Sequence, residues 1–340
     1  ASIVINVIQL SALVVFSVLA ILFRVQNPLG VAPEGWYHPT GASIVLPHNL
    51  AGMLFQSTIA ILILVGFESS TALAAEAKNP KKDIPRGVII SLVIQGLFAY
   101  LLQYFAANYA LSDKLTSADG SLTGISAAAA SGAPIGDLAV QLGTAFLGGN
   151  GFAFMLVIAF TVAIAILGTT LAAMNTGVRI SFAMAQDSEM PDVMGLLHDK
   201  YATPFYGVWI MVIVSGIIGS IGVLGGVMAL TGVTLASNLG TFVLYALICG
   251  LTFVAFAGDR GFSFVKHAVI PFLGLLVNMG MVLAIFIIGI ISGGTTAQAT
   301  YLALGISAAW LIVSVAYFIF QSVRSGKAIL PPAKVMVTEK

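Results

Sequence analysis

Charge is what this chain has least of. Only 8% of its 340 residues are Asp, Glu, Lys or Arg, against about 25% in an average soluble domain. Hydrophobic residues make up 59% and the mean hydropathy is +1.04, which excludes a soluble globular domain and identifies an integral membrane protein whose solvent is the lipid bilayer. Basic excess is also lacking: a net charge of +1 provides no basic face, so nucleic acid is excluded as a partner. Cysteine is reduced to Cys249, which rules out an internal disulfide. Histidine occurs four times, at His38, His48, His198 and His267, always in loops or helix ends without a second ligand at usable spacing. No metal and no cofactor are expected. A signal peptide would begin with Met and a basic stretch, whereas Ala1 already stands at the edge of an apolar run that ends at Phe23. The expectation is a chain that starts partway through something larger.

Long apolar runs are plentiful. Crossing a hydrocarbon core of roughly 30 Å takes about 20 residues of helix, and eight segments qualify: 3–23, 50–75, 87–111, 146–178, 205–224, 232–256, 268–292 and 299–322. A membrane β-barrel would show short alternating segments instead, so the expected fold class is an all-α polytopic membrane protein. Lys and Arg accumulate in short cytoplasmic loops. Lys78, Lys81, Lys82, Arg86, Arg179, Lys200, Arg260, Lys266, Arg324, Lys327, Lys334 and Lys340 fall on one side, and only Arg24 and Lys114 on the other. That asymmetry places both chain ends in the cytoplasm, with a tail at 325–340. In the outer loop 112–145, the stretch "APIGDLAVQLG" reads as a short surface helix.

Of thirteen acidic residues, Glu68 alone sits within an apolar membrane run, after Ile61-Leu62-Ile63-Leu64-Val65-Gly66-Phe67. An ionisable group there is costly and commonly faces a cavity or a partner. Two explanations stand beside that one. Glu68 reaches water from a helix that Gly66 merely packs closely. Alternatively the helix breaks near 65–67 and restarts at Glu68-Ser69-Ser70, whose side chains cap the exposed amides. Broken membrane helices persist only where the loose backbone is buried or lines a cavity, and Gly-interrupted segments point to transporter binding sites.

The string "GFESSTALAAEAKNPKKDIPRGVIIS" resembles the end of the sixth helix and the following loop of the amino acid-polyamine-organocation (APC) permease family, with its Gly-Phe-Glu, Glu-x-Lys-Asn-Pro and Ile-Pro-Arg-Gly pattern. "MNTGVRISFAMAQDSEMPDVMGLLHDKYATP" is similar to the family's eighth-helix exit, departing from it at Gln186 and Ser188. The resemblance implies a partial LeuT-like inverted-repeat transporter fold. Its eight transmembrane helices would correspond to family helices five to twelve, with the first repeat mostly missing.

The same resemblance implies roles. Val65, Gly66 and Phe67 would form the unwound centre whose carbonyls accept from a substrate ammonium, with Phe67 or Leu64 as the local closing side chain. Glu68 would gate or couple protons. In sodium-coupled relatives, eighth-helix hydroxyls hold the ion, and Thr169 and Thr170 lie about there; packing or bonding to their own backbone is the competing explanation. Some proton-coupled members carry a Lys on helix five where this chain has Gln9, so a fixed amine cannot replace sodium. Asn238, near mid-span of 232–256, lines the pocket or locks two helices together. Gln95, Gln103, Asn108 and Asn278 are assigned packing roles.

A channel would show a filter repeat or rings of charge, and an intramembrane enzyme a catalytic set; neither pattern is present, and Gly136-Asp137 stands in an outer loop without a partner. The expected function is secondary active transport of an amino acid by alternating access, with proton or sodium coupling. Apolar Leu62 and Leu64 favour a neutral or aliphatic substrate. A polyamine or organocation exchanger of the same fold is the alternative, and a channel or non-transporting membrane sensor the alternative of another class. A bacterial inner membrane is the expected location.

Overall fold

The computed structural model describes residues 2–46, 49–258 and 261–325. Expectations on His48, Arg260 and the tail beyond Ser325 lie outside the described residues. Among the described residues there are twelve α-helices: α1 (Ser2–Gln26), α2 (Gly41–Val45), α3 (Leu50–Ala60), α4 (Pro80–Ile94), α5 (Phe105–Ala110), α6 (Gly124–Ala130), α7 (Pro134–Phe146), α8 (Gly151–Gln186), α9 (Phe205–Leu224), α10 (Gly226–Phe256), α11 (Ile270–Ile291) and α12 (Gly294–Ser325). A π-helical stretch, Gln95–Tyr104, joins α4 to α5 in one apolar run. Among the described residues, β pairing is confined to two isolated bridges, Trp36 with Ser112 and Thr116 with Thr123.

Among the described residues, seven helices are long and apolar enough to cross a membrane: Val4–Gln26, Pro80–Ala110, Gly151–Gln186, Phe205–Leu224, Gly226–Phe256, Val265–Ile291 and Gly294–Val323. The protein is an integral, multi-pass membrane protein. The eighth expected segment, 50–75, is not one helix. It consists of α3, a 3-10 turn at Ile61–Ile63 and a 3-10 segment at Phe67–Glu76.

Two compact units make up the fold. The first holds the described residues through Gly52 together with Ile63–Gly177, and the second holds Met53–Leu62 with the described residues from Val178 onward.

In the first unit, Phe16, Ala20 and Phe23 line one face of α1 at helical spacing and are almost completely buried. Against them pack Ala106 and Ala110 of α5, Leu138, Ala139 and Leu142 of α7, and Phe154 and Ile158 of α8. The "APIGDLAVQLG" stretch thus forms a helix and presses its apolar face into this core. Arg24 closes the end of α1. Its guanidinium donates to the carbonyls of Tyr109 at 3.2 Å, His38 at 2.9 Å and Pro39 at 3.1 Å. It also lies over the Trp36 ring at 4.3 Å and the Tyr109 ring at 4.8 Å, where the ring quadrupoles attract the cation.

In the second unit, α10 is the central helix. Leu235, Leu239 and Phe242 face Ile285 of α11 and Ala299 and Ala303 of α12. Between apolar helices in lipid, close van der Waals packing of small residues provides much of the attraction. Gly232 shows it: a Cβ there would stand 2.8 Å from Leu302 Cδ2 and 3.1 Å from the Ala299 carbonyl oxygen. Gly240, on the same helix, has open space where its Cβ would be.

Gly232→Val overfills the α10–α12 contact and is expected to destabilise the protein by about 1–3 kcal/mol. Gly240→Val leaves the melting temperature within a degree or two of the parent by the same overpacking logic. Thermal unfolding of the two purified variants, followed by intrinsic fluorescence, checks the difference.

Candidate functional site

The interruption between α3 and Glu76 begins earlier, and takes a tighter helical form, than glycine placement alone predicts. The α-helical pattern stops at Ala60, a single 3-10 turn follows at Ile61–Ile63, and the backbone turns through Leu64, Val65 and Gly66. Gly66 has φ +113° and ψ −15°, with open space where a Cβ would sit. Glycine is required there by backbone conformation and not by crowding.

Downstream, the polar side chains bond their own backbone. The Gly66 N–H donates to the Glu68 carboxylate at 3.0 Å, and the Ser69 N–H to the Gly66 carbonyl at 3.1 Å. The Ser70 hydroxyl donates to the Phe67 carbonyl at 3.2 Å and the Thr71 hydroxyl to the Glu68 carbonyl at 2.7 Å. Hydroxyls that reach back three residues suit a 3-10 winding and compete with α-helical pairing. A 3-10 run rarely exceeds about four residues and often marks a hinge, yet Phe67–Glu76 holds ten. Leu64, Val65, Phe67 and Glu68 are half-buried and Gly66 is exposed. The Glu68 carboxylate therefore caps the restarted segment and keeps its other oxygen open to a further donor.

Asn238 belongs to the second unit, with Met53–Leu62. It is fully buried, and its side-chain amide donates to the backbone carbonyl of Thr58 at 2.8 Å. The last four carbonyls of any α-helix lose their intrahelical partners, and Thr58 is one of those four in α3. Asn238 thus takes up an acceptor that the early end of α3 sets free. The Thr58 hydroxyl is itself occupied, donating to the Phe55 carbonyl at 2.7 Å. Asn238 Oδ1 is buried and has no hydrogen-bond partner among the described residues.

Gln9 lies half-buried on α1, one turn beyond Ile5. Ile5 Cγ2 stands 3.5 Å from where a Cβ on Gly168 would be, so α1 and α8 meet just before Thr169 and Thr170. Both threonines are exposed. Thr161 and Thr176 of α8 donate one turn back, to the Val157 carbonyl at 2.8 Å and the Ala172 carbonyl at 3.1 Å. Among the described residues no such bond ties down the hydroxyls of Thr169 or Thr170. Asn108 and Asn278, by contrast, are spent on their own helices, on the Tyr104 carbonyl at 2.9 Å and the Gly274 carbonyl at 2.7 Å.

The structure thus brings Leu64, Val65, Gly66, Phe67 and Glu68 together at one turn, leaves Thr169 and Thr170 exposed on α8 next to the glycine that meets Ile5 of α1, joins Gln9 to neither of them by a hydrogen bond among the described residues, and pairs Asn238 with Thr58. Thr58 was missed by sequence reasoning. The available signal was a Thr inside an apolar helix, at the turn where that helix fails.

The sequence model of the family described as "Amino acid permease" matches residues 1–325. The branched-chain amino acid permease BcaP of Lactococcus lactis subsp. cremoris is 31% identical over 61% of this chain and 41% of its own length. The protein of the same name from Bacillus subtilis is 25% identical over 69% of this chain and 44% of its own. The methylthioribose transporter of Bacillus subtilis is 25% identical over 63% and 41%. The chain spans less than half the length of these curated relatives.

Asn238→Ala strands the Thr58 carbonyl in an apolar setting and is expected to destabilise the α3–α10 contact by about 1–3 kcal/mol. Amide hydrogen exchange read on peptides covering 50–62 should accelerate, while those covering α7 should not change.

Proposed function

The chain belongs to the amino acid permease family, and from that premise we propose that it serves secondary active transport of a neutral or aliphatic amino acid by alternating access. The observation that carries this reading is the interrupted segment at Ile61–Phe67. A left-handed glycine, a long 3-10 segment and a carboxylate capping the restart give a hinge within an apolar run and hydrogen-bonding groups at mid-segment. Irregular backbone at membrane depth is tolerated where it lines a cavity or is buried in protein, and transporters use such breaks to hold substrates.

In this reading the carbonyls around Val65, Gly66 and Phe67 accept from the substrate ammonium, with Leu64 and Phe67 against its side chain. Asn238 acts through its hold on Thr58, which sets where α3 ends. Glu68 links substrate or proton occupancy to the break, since a proton added to its carboxylate weakens the bond that it accepts from the Gly66 N–H. Thr169 and Thr170 offer the hydroxyl oxygens a sodium ion would need, and Gln9 supplies no fixed charge to replace it. The apolar character of Leu64 and Val65 and the two relatives named for branched-chain amino acids support an aliphatic substrate. The excess of basic residues on one side supports a cytoplasmic location for both ends, and the bacterial relatives support an inner membrane.

Glu68→Gln retains an oxygen that can accept from the Gly66 N–H and removes the titrating charge. Expressed from the complete gene in cells lacking their own branched-chain uptake, this variant should transport L-leucine with a flatter dependence on external pH than the parent. A pH profile like that of the parent excludes a proton role for Glu68. Gly66→Ala, forced into a conformation costing about 1–3 kcal/mol, should lower uptake at least tenfold while the protein still reaches the membrane; undiminished uptake rules out the break as the substrate site.

A further inference from the structure

Between α5 and α8, within the first unit, loops and short helices enclose a cavity of about 520 Å³. That is within the roughly 300–1,000 Å³ typical of small-molecule pockets. Its lining is built from the segment 114–118 together with α6 and α7, and it uses none of the residues at the Leu64–Glu68 break.

The lining has an unusual combination of groups. Leu115, Ala127 and Val140 supply apolar surface, and the first two are almost completely buried. Asp137 and Gln141 stand one turn apart on the same face of α7. Gln141 Oε1 is shut off from solvent and has no hydrogen-bond partner among the described residues. Asp137 uses one carboxylate oxygen, which accepts from the Ser131 hydroxyl, and its other oxygen remains available. The free acceptor capacity of the Asp137 carboxylate calls for a donor-rich cation, and an ammonium has three donors and no acceptor. Lys114 lines the same cavity from a different element and calls for an anion.

A lone metal cation would be repelled by Lys114, and a lone inorganic anion by Asp137. A small zwitterion satisfies both and matches the apolar surface as well. The segment that carries Lys114 is itself firmly tied: the Ser117 hydroxyl donates to Asp119 at 2.5 Å, the Ser121 hydroxyl to the same carboxylate at 2.8 Å, and the Leu122 N–H to Ser117 Oγ at 3.0 Å. These donors hold the Asp119 carboxyl down at about 2, the Ser117 hydroxyl contributing most. The turn therefore stays hydrogen-bonded at any physiological pH.

We propose that this cavity is a second binding site, which takes a small aliphatic α-amino acid with its ammonium on Asp137 and its carboxylate on Lys114. The assignment rests on the chemistry of the lining and not on the transport reading. The two therefore fail separately.

The test is equilibrium binding of radiolabelled L-leucine to the purified protein in lipid nanodiscs, with an environment-sensitive fluorophore on Thr116→Cys as a local reporter. Saturable binding is expected, with a fluorescence change over the same concentrations. Asp137→Asn and Lys114→Gln should each weaken it at least tenfold. Glu68→Gln should leave it unchanged. 3-Methylbutylamine and 4-methylpentanoate, which lack the carboxylate and the ammonium respectively, should compete at least tenfold less well than leucine. Absence of saturable binding overturns the proposal, as does leucine affinity that survives both Asp137→Asn and Lys114→Gln. Tenfold stronger competition by dileucine would assign the cavity to peptide termini and overturn the amino-acid occupant. Loss of pH-dependent uptake in Glu68→Gln with this binding intact supports both sites independently.

Discussion

Hydrocarbon offers no hydrogen bonds, so each backbone N–H and C=O within a membrane span must find its partner in the protein. Helices meet that demand by themselves; an interrupted helix does not. The segment from Leu50 to Glu76 meets it by two devices. Asn238 donates to Thr58 where α3 ends, and Glu68 accepts from Gly66 where the chain restarts. Both are single side chains in otherwise apolar surroundings. The hydroxyls of Ser70 and Thr71 add bonds to carbonyls three residues back. The polar residues of this segment are thus explained first by backbone satisfaction. Any binding they perform builds on that.

This ordering bears on how the segment could work. A break held by weak, local hydrogen bonds has alternatives of similar energy, which a continuous α-helix lacks. Ten residues of 3-10 winding have poorer hydrogen-bond geometry than α winding. In the proposed reading, a donor or proton arriving at Glu68 competes directly with the Gly66 N–H for the same carboxylate. Coupling of occupancy to backbone form then needs no long-range path.

The all-helical, polytopic character was legible in the sequence, because twenty-residue apolar runs have few other solutions in a membrane. Helix α9 occupies 205–224 and α12 encloses 299–322. Glu68 was legible as exceptional by simple contrast with its neighbours. The 3-10 winding was not, since it depends on hydroxyls folding back on carbonyls, and Ser or Thr near Gly reads equally well as an α-helical cap. The Thr58–Asn238 pair was half legible: Asn238 stood out as a mid-span amide, but its partner is a main-chain carbonyl 180 residues away, and backbone acceptors carry no sequence signature. The cavity beside α7 was illegible for a similar reason. Lys114, Asp137 and Gln141 are ordinary loop and surface-helix residues until the packing of α7 on α1 places them around one space.

Arg24 shows how a residue can run against a topological bias and still belong. It is one of only two basic residues on the minority side, and its guanidinium ties the carbonyls of Tyr109, His38 and Pro39 at the end of α1. Those carbonyls lie at chain reversals, where helix termini and loops leave acceptors without regular partners. An Arg satisfies several at once because its donors form a rigid planar fork, and its flat faces remain free to lie on Trp36 and Tyr109. Lysine, a single point charge, could not do both. The other basic residue on this side, Lys114, has no such structural task among the described residues. It lines the cavity that also holds the Asp137 carboxylate, and a cation retained there against the prevailing bias fits a role toward something that enters the cavity better than one in holding the fold.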